Sequence, residues 1–183
     1  SDEIDLILDV NNIPPLAVAD AYTLAEDELF TGDVLTNDSD PDSYPESLTA
    51  DLIDTVSSGI LNLSTDGSFS YQSNENWYGT DSFSYHAFDG DAYSETVIVT
   101  LNVEPVNDTP EINLPDSFTF NEDENLTVDF TQYINDIDED ELILTVSAGA
   151  DVTADINGYS VTITAGENWH GSEILIYFAD HLL

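Results

Sequence analysis

One segment of this chain occurs twice, and the spacing between its two copies limits what the chain can fold into. The longer copy spans residues 104–110 (EPVNDTP) and the shorter copy spans residues 10–14 (VNNIP), so that Asn11 and Asn107 lie 96 residues apart. Each copy follows an extended run; before the longer copy, apolar and polar residues alternate as in a half-buried β-strand. A spacing of 96 residues approaches the length of one seven-strand sandwich, so the sequence predicts tandem β-sandwich repeats.

Further landmarks recur in the same order and define the predicted domains. The acidic pair Glu26-Asp27 returns as Glu122-Asp123, the loop 37–42 returns as 135–140, and the NWYG turn at 76–79 returns as NWHG at 168–171. Ordered landmarks at similar offsets indicate an internal duplication. We therefore expect a closing strand of a preceding repeat, or a donor strand, at residues 1–10, a first repeat at 11–106 and a second, incomplete repeat at 107–183.

The first repeat contains seven predicted strands separated by turn residues. These strands cover residues 16–24, 29–35, 48–56, 60–64, 68–71, 81–87 and 93–103. Asp66-Gly67 is suited to a tight hairpin turn, and Asn157-Gly158 replaces it in the second repeat. The second repeat follows the same order but stops before its closing strand. The predicted class is therefore all-β, with tandem seven-strand immunoglobulin-like Greek-key sandwiches, the second of which lacks its closing strand.

The charge of the chain excludes several classes of partner. The 183 residues include 39 Asp and Glu but no Lys or Arg, which gives a formal net charge of −39. Nucleic acid and anionic membrane surfaces are excluded as direct partners, because the chain cannot neutralise them. Bound cations must offset this charge, or high salt must screen it. The sequence leaves open a solvated, salt-adapted surface and a divalent-cation binder. No apolar run is long enough to insert into a membrane.

Carboxylates from separate parts of the sequence are expected to converge where two repeats meet. In a seven-strand sandwich, alternate turns share one end of the domain. We expect the lower end of the first repeat and the upper end of the second to gather Glu26, Asp27, Asp81, Asn107, Asp108, Asp136, Asp138, Asp140 and Asp180. Ca²⁺ accepts six to eight oxygen ligands in flexible geometry and would remove the repulsion between these groups. The alternative is a hydrated acidic loop without an ion.

The ordered set of motifs resembles a known family. The hinge at 106–110, with Glu26-Asp27 before it and the Asp136-x-Asp-x-Asp140 loop after it, is similar to bacterial cadherin-like or Ig-like tandem repeats of large secreted calcium-dependent adhesins of the RTX-adhesin type. The resemblance implies Ig/cadherin-like sandwiches, calcium held between successive domains, a stiff surface fibre and a secreted or cell-surface location. It also implies ligands at the upper end of the first repeat, namely Asn11, Asn12, Asp38, Asp40, Asp42 and Asp89.

These features favour a structural or adhesive module over an enzyme. A glycosidase would need a dedicated pair of carboxylates, whereas the acids here lie in loops that both repeats share. A carbohydrate- or protein-binding adhesin tip that recognises a host or surface ligand is the alternative. Neighbouring repeats or copies of the chain itself are the expected partners. Residues 2–10 of one copy could fill the open edge of the second repeat in the next copy and build a filament, or the chain could be a window of a longer array.

Overall fold

The computed structural model describes residues 11–42, 47–147 and 149–181, and these residues form two compact units, Ser1–Val106 (unit 1) and Asn107–Leu183 (unit 2). The predicted all-β class is confirmed. Among the described residues the only helical element is a single 3-10 turn at Phe130–Gln132, and none forms a helix long and apolar enough to cross a membrane. The predicted strand within residues 4–10 lies outside the described residues.

Unit 1 contains all seven predicted strands, arranged in two sheets. The strands are β1 (Asp20–Ala25), β2 (Phe30–Asp33), β3 (Thr49–Asp54), β4 (Gly59–Leu63), β5 (Ser68–Ser73), β6 (Gly79–Phe88) and β7 (Val97–Glu104). One sheet has the order β1-β7-β6-β3 and the other has the order β2-β5-β4. Strand β7 runs parallel to β1 and antiparallel to β6, so it is a central strand of the larger sheet.

Alternation along the strands builds the core of unit 1. In β7 the side chains of Val99, Leu101 and Val103 are buried, whereas Ile98 between them is exposed. This period of two is what a strand with one buried face requires. The core also includes Phe69, Tyr71, Phe83 and Tyr85. The predicted Asp66-Gly67 turn joins β4 to β5, and Gly67 has a φ of 87°, which glycine adopts without strain.

Unit 2 has a similar order of strands, but its sheets contain fewer paired strands than those of unit 1. Its strands are β8 (Glu111–Ile112), β9 (Asn125–Asp129), β10 (Ile134–Asn135), β11 (Leu142–Val146), β12 (Val152–Asn157), β13 (Ser160–Ala165) and β14 (Tyr177–His181). They form the sheets β12-β13-β9, β11-β14 and β10-β8. The predicted Asn157-Gly158 turn joins β12 to β13. The core consists of Val128, Phe130, Leu144, Val152, Val161 and Ile163.

The β11-β14 sheet is the counterpart of the four-stranded sheet of unit 1. Ala50 of β3 lies opposite Ala87 of β6, and in unit 2 Leu144 of β11 lies opposite Ala179 of β14 in the same way. The counterparts of β1, at residues 116–121, form no strand, and no described residues of unit 2 occupy the position of β7. Among the described residues this sheet therefore has two strands, whereas its counterpart in unit 1 has four.

Candidate metal sites

An acidic cluster lies at one end of unit 2. Ligand atoms of Asp136, Asp140 and His181 lie within 4.8 Å of one another. The Asp136 carboxylate is the central group, because its Oδ1 accepts the backbone N–H groups of Asp138 at 3.0 Å and Asp140 at 3.2 Å. Its Oδ2 lies 3.2 Å from His181 Nε2. Only 4% of the Asp136 side chain is exposed, so hydrogen bonds to the loop, rather than to solvent, hold this carboxylate in position.

The start of unit 2 is bound to the same loop. Asp138 Oδ2 accepts the backbone N–H of Asp108 at 2.6 Å, and the Asn107 amide lies 3.0 Å from His181 Nδ1. Glu139, between the two aspartates, has a φ of 60°, which turns the loop sharply enough to return its backbone toward Asp136. The structure thus brings together Asn107, Asp108, Asp136, Asp138 and Asp140 of the predicted ligands. Asp180 is exposed and accepts a hydrogen bond from the backbone of its neighbour His181.

Hydrogen bonds favour the ionised form of the Asp136 carboxyl group. Its burial alone would raise the pKa of this carboxyl group, but the donors from Asp140, His181 and Asp138 outweigh burial and lower the pKa below its usual value. Asp136 is therefore ionised at neutral pH and presents negative charge in a largely desolvated position.

Unit 1 has a similar arrangement at the end where β6 finishes. The Asn12 amide donates to Asp89 Oδ2 at 2.9 Å, and the backbone N–H of Ile13 donates to Asp42 Oδ2 at 2.7 Å. Asp42 in turn donates its N–H to Asp40 Oδ1 at 3.1 Å. The structure therefore places Asn12, Asp40, Asp42 and Asp89 together, whereas Asn11 is exposed and precedes this group.

Asp38 belongs to the interior of unit 1 rather than to this cluster. Its Oδ1 accepts the N–H of Val18 at 2.8 Å and its Oδ2 accepts the hydroxyl of Tyr85 at 2.9 Å. Desolvation is the largest influence on this group, and it raises the pKa of Asp38 above its usual value despite both hydrogen bonds. Asp38 thus holds a loop against the core.

Comparison of the two clusters shows that the hinge copies correspond with an offset of 95 residues, not 96. The hydrogen bond from Ile13 to Asp42 corresponds to the one from Asp108 to Asp138, so Asn12 corresponds to Asn107. Asp89 corresponds to His181, because the Asn12 amide contacts Asp89 and the Asn107 amide contacts His181. Ile13 therefore replaces the carboxylate of Asp108 in unit 1, and His181 replaces the carboxylate of Asp89 in unit 2.

His181 is the member of the cluster that sequence reasoning missed. The ligands predicted from the sequence include Asp180 and none of the three histidines. The signal was present, because the offset of 92 residues that relates Gly79 to Gly171 also relates Asp89 to His181. A ring nitrogen is a poorer ligand than oxygen for a hard ion such as Ca²⁺.

Glu26 occupies the opposite end of unit 1, beside the end of β7. Its side chain is 1% exposed, and its Oε1 accepts the N–H of Val106 at 2.9 Å. The Glu26 backbone N–H donates to the carbonyl of Glu104 at 3.0 Å, which continues the pairing of β1 with β7. Its Oε2 is buried and has no hydrogen-bond partner among the described residues. A buried carboxylate oxygen without a partner is costly, and a cation is a group that would satisfy it.

Asp27 follows Glu26 and links two loops of unit 1. It has a φ of 60°, and its Oδ1 accepts the backbone N–H of Asn76 at 3.0 Å. The same contact recurs in unit 2, where Asp123, with a φ of 61°, accepts the N–H of Asn168 at 3.1 Å. Both acidic pairs therefore tie the first turn of their unit to the Asn-Trp turn.

Asp81, the third ligand predicted at this end, is already hydrogen-bonded within unit 1. Its two carboxylate oxygens accept the backbone N–H groups of Ser57, Ser58 and Ser82 and the hydroxyl of Tyr71. Burial opposes ionisation, but these donors lower the pKa of Asp81 below its usual value. In unit 2, Glu173 plays the same part by accepting the N–H groups of Ala150, Asp151 and Val152.

The residues present suit a hard, oxygen-preferring cation. A cation at the end of β7 would satisfy the unpartnered Oε2 of Glu26, and the loops at Asp40–Asp42 and Asp136–Asp140 contain further carboxylates. Carboxylates, amide carbonyls and backbone carbonyls are the ligands that Ca²⁺ takes, with a tolerance for irregular geometry that Mg²⁺ lacks.

The arrangement of the strands in two sheets defines a class, that of cadherin-like β-sandwiches, and comparison identifies the family. The family model described as "Bacterial cadherin-like domain" matches residues 12–105, just over half of the chain. The chain belongs to this family, which confirms the resemblance. Domains of this family are generally extracellular and typically have no enzymatic activity, and cadherin domains generally bind calcium. A comparison with curated protein sequences gives no significant match.

Solved structures support the same fold at low sequence identity. Protocadherin gamma B7 extracellular cadherin domains 1–4 align with a TM-score of 0.51 and 18% identity over 84% of this chain and 41% of that chain. Human CDH23 EC21–23 aligns with a TM-score of 0.50 and 15% identity over 85% of this chain and 59% of that chain. The protocadherin gamma B4 extracellular domain aligns with a TM-score of 0.50 and 20% identity over 88% of this chain and 28% of that chain. The chain therefore spans less than two thirds of each.

Proposed function

We propose that this chain is an extracellular, calcium-stabilised structural and adhesive module that joins neighbouring repeats, or further copies of itself, into a stiff surface fibre. The family supports an extracellular adhesion-type module, and the net charge of −39 supports a requirement for bound cations. Self-assembly into a filament by strand donation is part of the proposal. The predicted sharing of ions between successive repeats also remains part of it.

The observation that supports calcium most directly is the buried Glu26 side chain with its unpartnered Oε2. Glu26 would hold the ion, and Asp27 would contribute from the adjoining turn. In unit 2, Asn107, Asp108, Asp136, Asp138 and Asp140 would form the second set of ligands. The ion would supply the positive charge that the side chains of this chain lack, so that ends rich in carboxylates become stable.

Calorimetry of the chain in chelator and in rising calcium concentrations tests the proposal. Because the ion would bind the folded state preferentially, the free energy of unfolding should increase by about 2.7 kcal/mol when free calcium is one hundred times its Kd. Sodium at equal ionic strength is the control for charge screening, which would act through all carboxylates and not saturate at a defined stoichiometry. Equal melting temperatures in calcium and in sodium would contradict the proposal.

An exposed tryptophan beside the acidic loops would favour the alternative, a ligand-binding adhesin tip. Trp77 and Trp169 are both half-buried and packed against the cores of their units. Their packing is typical of residues that fix a corner of the sandwich. The arrangement therefore favours the structural module over the tip domain.

A further inference from the structure

We infer that the cluster of Asp136, Asp140 and His181 in unit 2 is a site for a borderline divalent metal ion of the Zn²⁺ class, which it prefers to Ca²⁺, and that His181 Nε2 is the ligand that makes the difference. This inference deepens the proposed function by naming the ion that one cluster selects, and it rests on that function only in taking the cluster as a cation site. All of the residues involved belong to unit 2.

The three ligands converge from two separate segments of unit 2. Asp136 and Asp140 lie in the loop that precedes β11, and His181 is the last residue of β14, where it pairs with Leu142 of β11. The ligand atoms of the three side chains lie within 4.8 Å of one another. His181 Nε2 and Asp136 Oδ2 are 3.2 Å apart. This distance is close to the separation of about 3.4 Å between two ligands that each lie about 2.0–2.1 Å from a tetrahedral zinc ion.

The donor atoms of this cluster are mixed, and the mixture determines which ions it suits. Imidazole nitrogen is a ligand for Zn²⁺, Cu²⁺, Ni²⁺ and iron, whereas Ca²⁺ and Mg²⁺ are bound by oxygen. Two carboxylates and one imidazole make three protein ligands, which is the number that a zinc site with one open position uses. Ca²⁺ takes six to eight oxygen ligands, so a nitrogen atom in place of an oxygen weakens its site.

The corresponding cluster of unit 1 presents a carboxylate where unit 2 has the imidazole. Asp89 occupies the position of His181, and its Oδ1 accepts the backbone N–H groups of Asp91 and Ala92, both at 2.7 Å. Its Oδ2 accepts the Asn12 amide at 2.9 Å. The two units therefore carry equivalent loops that differ in one donor group, and we expect them to select different ions.

The imidazole of His181 is held in place by its neighbours. The Asn107 amide nitrogen lies 3.0 Å from Nδ1 and 3.3 Å from Nε2, and only 20% of the His181 side chain is exposed. A histidine that binds a metal ion through Nε2 donates its Nδ1–H to an acceptor. Rotation of the Asn107 amide by half a turn would bring its oxygen to Nδ1. The ring therefore has the neighbour that a ligand histidine requires.

The chain offers few nitrogen or sulfur ligands besides His181. The sequence contains three histidines and no Cys, Met or Lys. His86 stacks on Tyr93 with ring centroids 4.1 Å apart, and His170 is exposed in the Asn-Trp turn of unit 2. In the part of the chain that the structure describes, His181 is the only histidine in a group of three converging ligands. An ion that prefers nitrogen is therefore expected at His181 and not at the other two.

A hydrogen bond without a metal ion is the alternative role of His181. In that role Nε2–H donates to Asp136 Oδ2 across 3.2 Å, and the contact joins the end of β14 to the loop. The two roles exclude each other, because Nε2 carries either a proton or the metal ion. The alternative predicts that Zn²⁺ leaves the imidazole signals of His181 unchanged.

Titration of the full chain with zinc chloride, followed by the imidazole ¹H–¹⁵N signals in NMR, distinguishes the two roles. We expect the His181 signals to change and to saturate near one equivalent, while those of His86 and His170 stay in place. An excess of Ca²⁺ should not reverse the change. If the His181 signals stay unchanged, if Ca²⁺ reverses the change, or if the three histidines respond alike, the inference is overturned.

Variants of His181 connect the signal to affinity, which isothermal titration calorimetry measures for each ion. His181→Asn should lower the Zn²⁺ affinity by at least about 10–100-fold, the loss that removal of even an outer-shell partner causes. His181→Asp supplies the donor type of unit 1, so it should lower the Zn²⁺ affinity and leave the Ca²⁺ affinity equal or higher. His170→Asn is the matched control and should bind Zn²⁺ as the native chain does.

The results separate this inference from the calcium proposal. If Ca²⁺ stabilises the chain but Zn²⁺ binds the native chain and His181→Asn alike, the inference fails and the calcium proposal stands. If Zn²⁺ binds at His181 while the melting temperatures in calcium and in sodium are equal, the calcium proposal fails and the inference stands. A loss of Zn²⁺ affinity in His170→Asn rather than in His181→Asn would also overturn the inference.

Discussion

The two units carry equivalent acidic residues, yet one buries its acid and the other exposes it. Glu26 is enclosed at the end of β1, where β7 pairs alongside, and Glu122 is exposed at the corresponding position. The hydroxyl of Tyr85 donates to the carbonyl of Val34, whereas its counterpart Tyr177 is buried without a partner among the described residues. Pairing with the central strand, rather than the local sequence around each acid, therefore accounts for the burial of Glu26 and the exposure of Glu122.

Other contacts are the same in both units and do not depend on the central strand. The carboxylates of Asp27 and Asp123 bind the turns at Asn76 and Asn168, at nearly equal distances. These contacts are local to two turns that the smaller number of strands in unit 2 leaves unchanged. The comparison therefore separates features that need a closed sheet from features that need only the turn sequences.

The largest expected effect comes from removing a core side chain of β7. Leu101→Ala should lower the free energy of unfolding of unit 1 by about 2–5 kcal/mol, because it leaves a cavity among fully buried neighbours. Ile98→Ala, at an exposed position of the same strand, is the control and should cost much less. Chemical denaturation measures both variants, and equal losses for the two would contradict the burial of Leu101 in the core of unit 1.

The second effect concerns Glu26 and calcium. Glu26→Gln should remove most of the calcium-dependent stabilisation, about 2.7 kcal/mol at one hundred times the Kd, because an amide is a weaker ligand than a carboxylate. In chelator the variant should differ little from the native chain, since Gln retains an oxygen that can accept the N–H of Val106. Glu122→Gln is the matched control in unit 2. Calorimetry in chelator and in calcium measures the stability of each variant. If calcium stabilises Glu26→Gln as much as the native chain, Glu26 is not a ligand.

A smaller effect, equal in the two units, is expected for the turn contacts. Asp27→Ala and Asp123→Ala should each cost about 1–2 kcal/mol, because each removes a side-chain to backbone hydrogen bond and leaves alanine at a positive φ. Urea denaturation in chelator keeps the measurement free of any ion. If the loss is much larger in unit 1, the contact depends on the closed sheet, and the proposed independence of the two features fails.

The smallest effect is the pH dependence that arises from Asp20. Desolvation, followed by the nearby charge of Asp38, raises the pKa of Asp20 to about 6, above the usual range of an aspartate. The folded state therefore binds this proton more tightly than the unfolded state, so the contribution of Asp20 is favourable at low pH. It is lost as the pH rises from about 4 to about 6.

Asp20→Asn should remove this part of the pH dependence and raise the melting temperature of unit 1 above pH 6. Asp116→Asn, at the exposed counterpart in unit 2, is the control and should leave the profile unchanged. Melting temperatures measured in chelator between pH 4 and pH 8 test this point. Parallel profiles for the native chain and Asp20→Asn would show that Asp20 titrates normally.

Much of the fold could be predicted from the sequence because its signals are local. All seven strands of unit 1 are confirmed, since alternation and turn residues specify them without reference to distant contacts. Strand ends differ by up to four residues, as at β1 and β7, where the predicted runs began in the preceding loops. The two hairpin turns are confirmed for the same reason, because Asp-Gly and Asn-Gly determine a tight turn by their own backbone preferences.

The candidate sites could be predicted in composition but not in detail. Asp38 and Asp81 look like the other loop aspartates in the sequence, yet their oxygens are engaged by Tyr85 and by the serines at 57 and 58. These hydrogen bonds join residues that are more than twenty positions apart in the sequence. The spacing of the aspartates therefore does not predict which carboxylates accept hydrogen bonds from within the unit. The position of His181 could have been found from the repeat offset alone.

The internal duplication, the all-β class and the strong negative charge could all be predicted from the sequence, because repeats, alternation and charge are properties of the order of residues. The tertiary structure was needed to find the one-residue offset of the hinge, the exchange of Asp89 for His181 and the burial of Glu26. Each of these follows from hydrogen bonds and desolvation between segments that are distant in the chain. A side chain acquires its partners and its exposure only when the strands around it are in place.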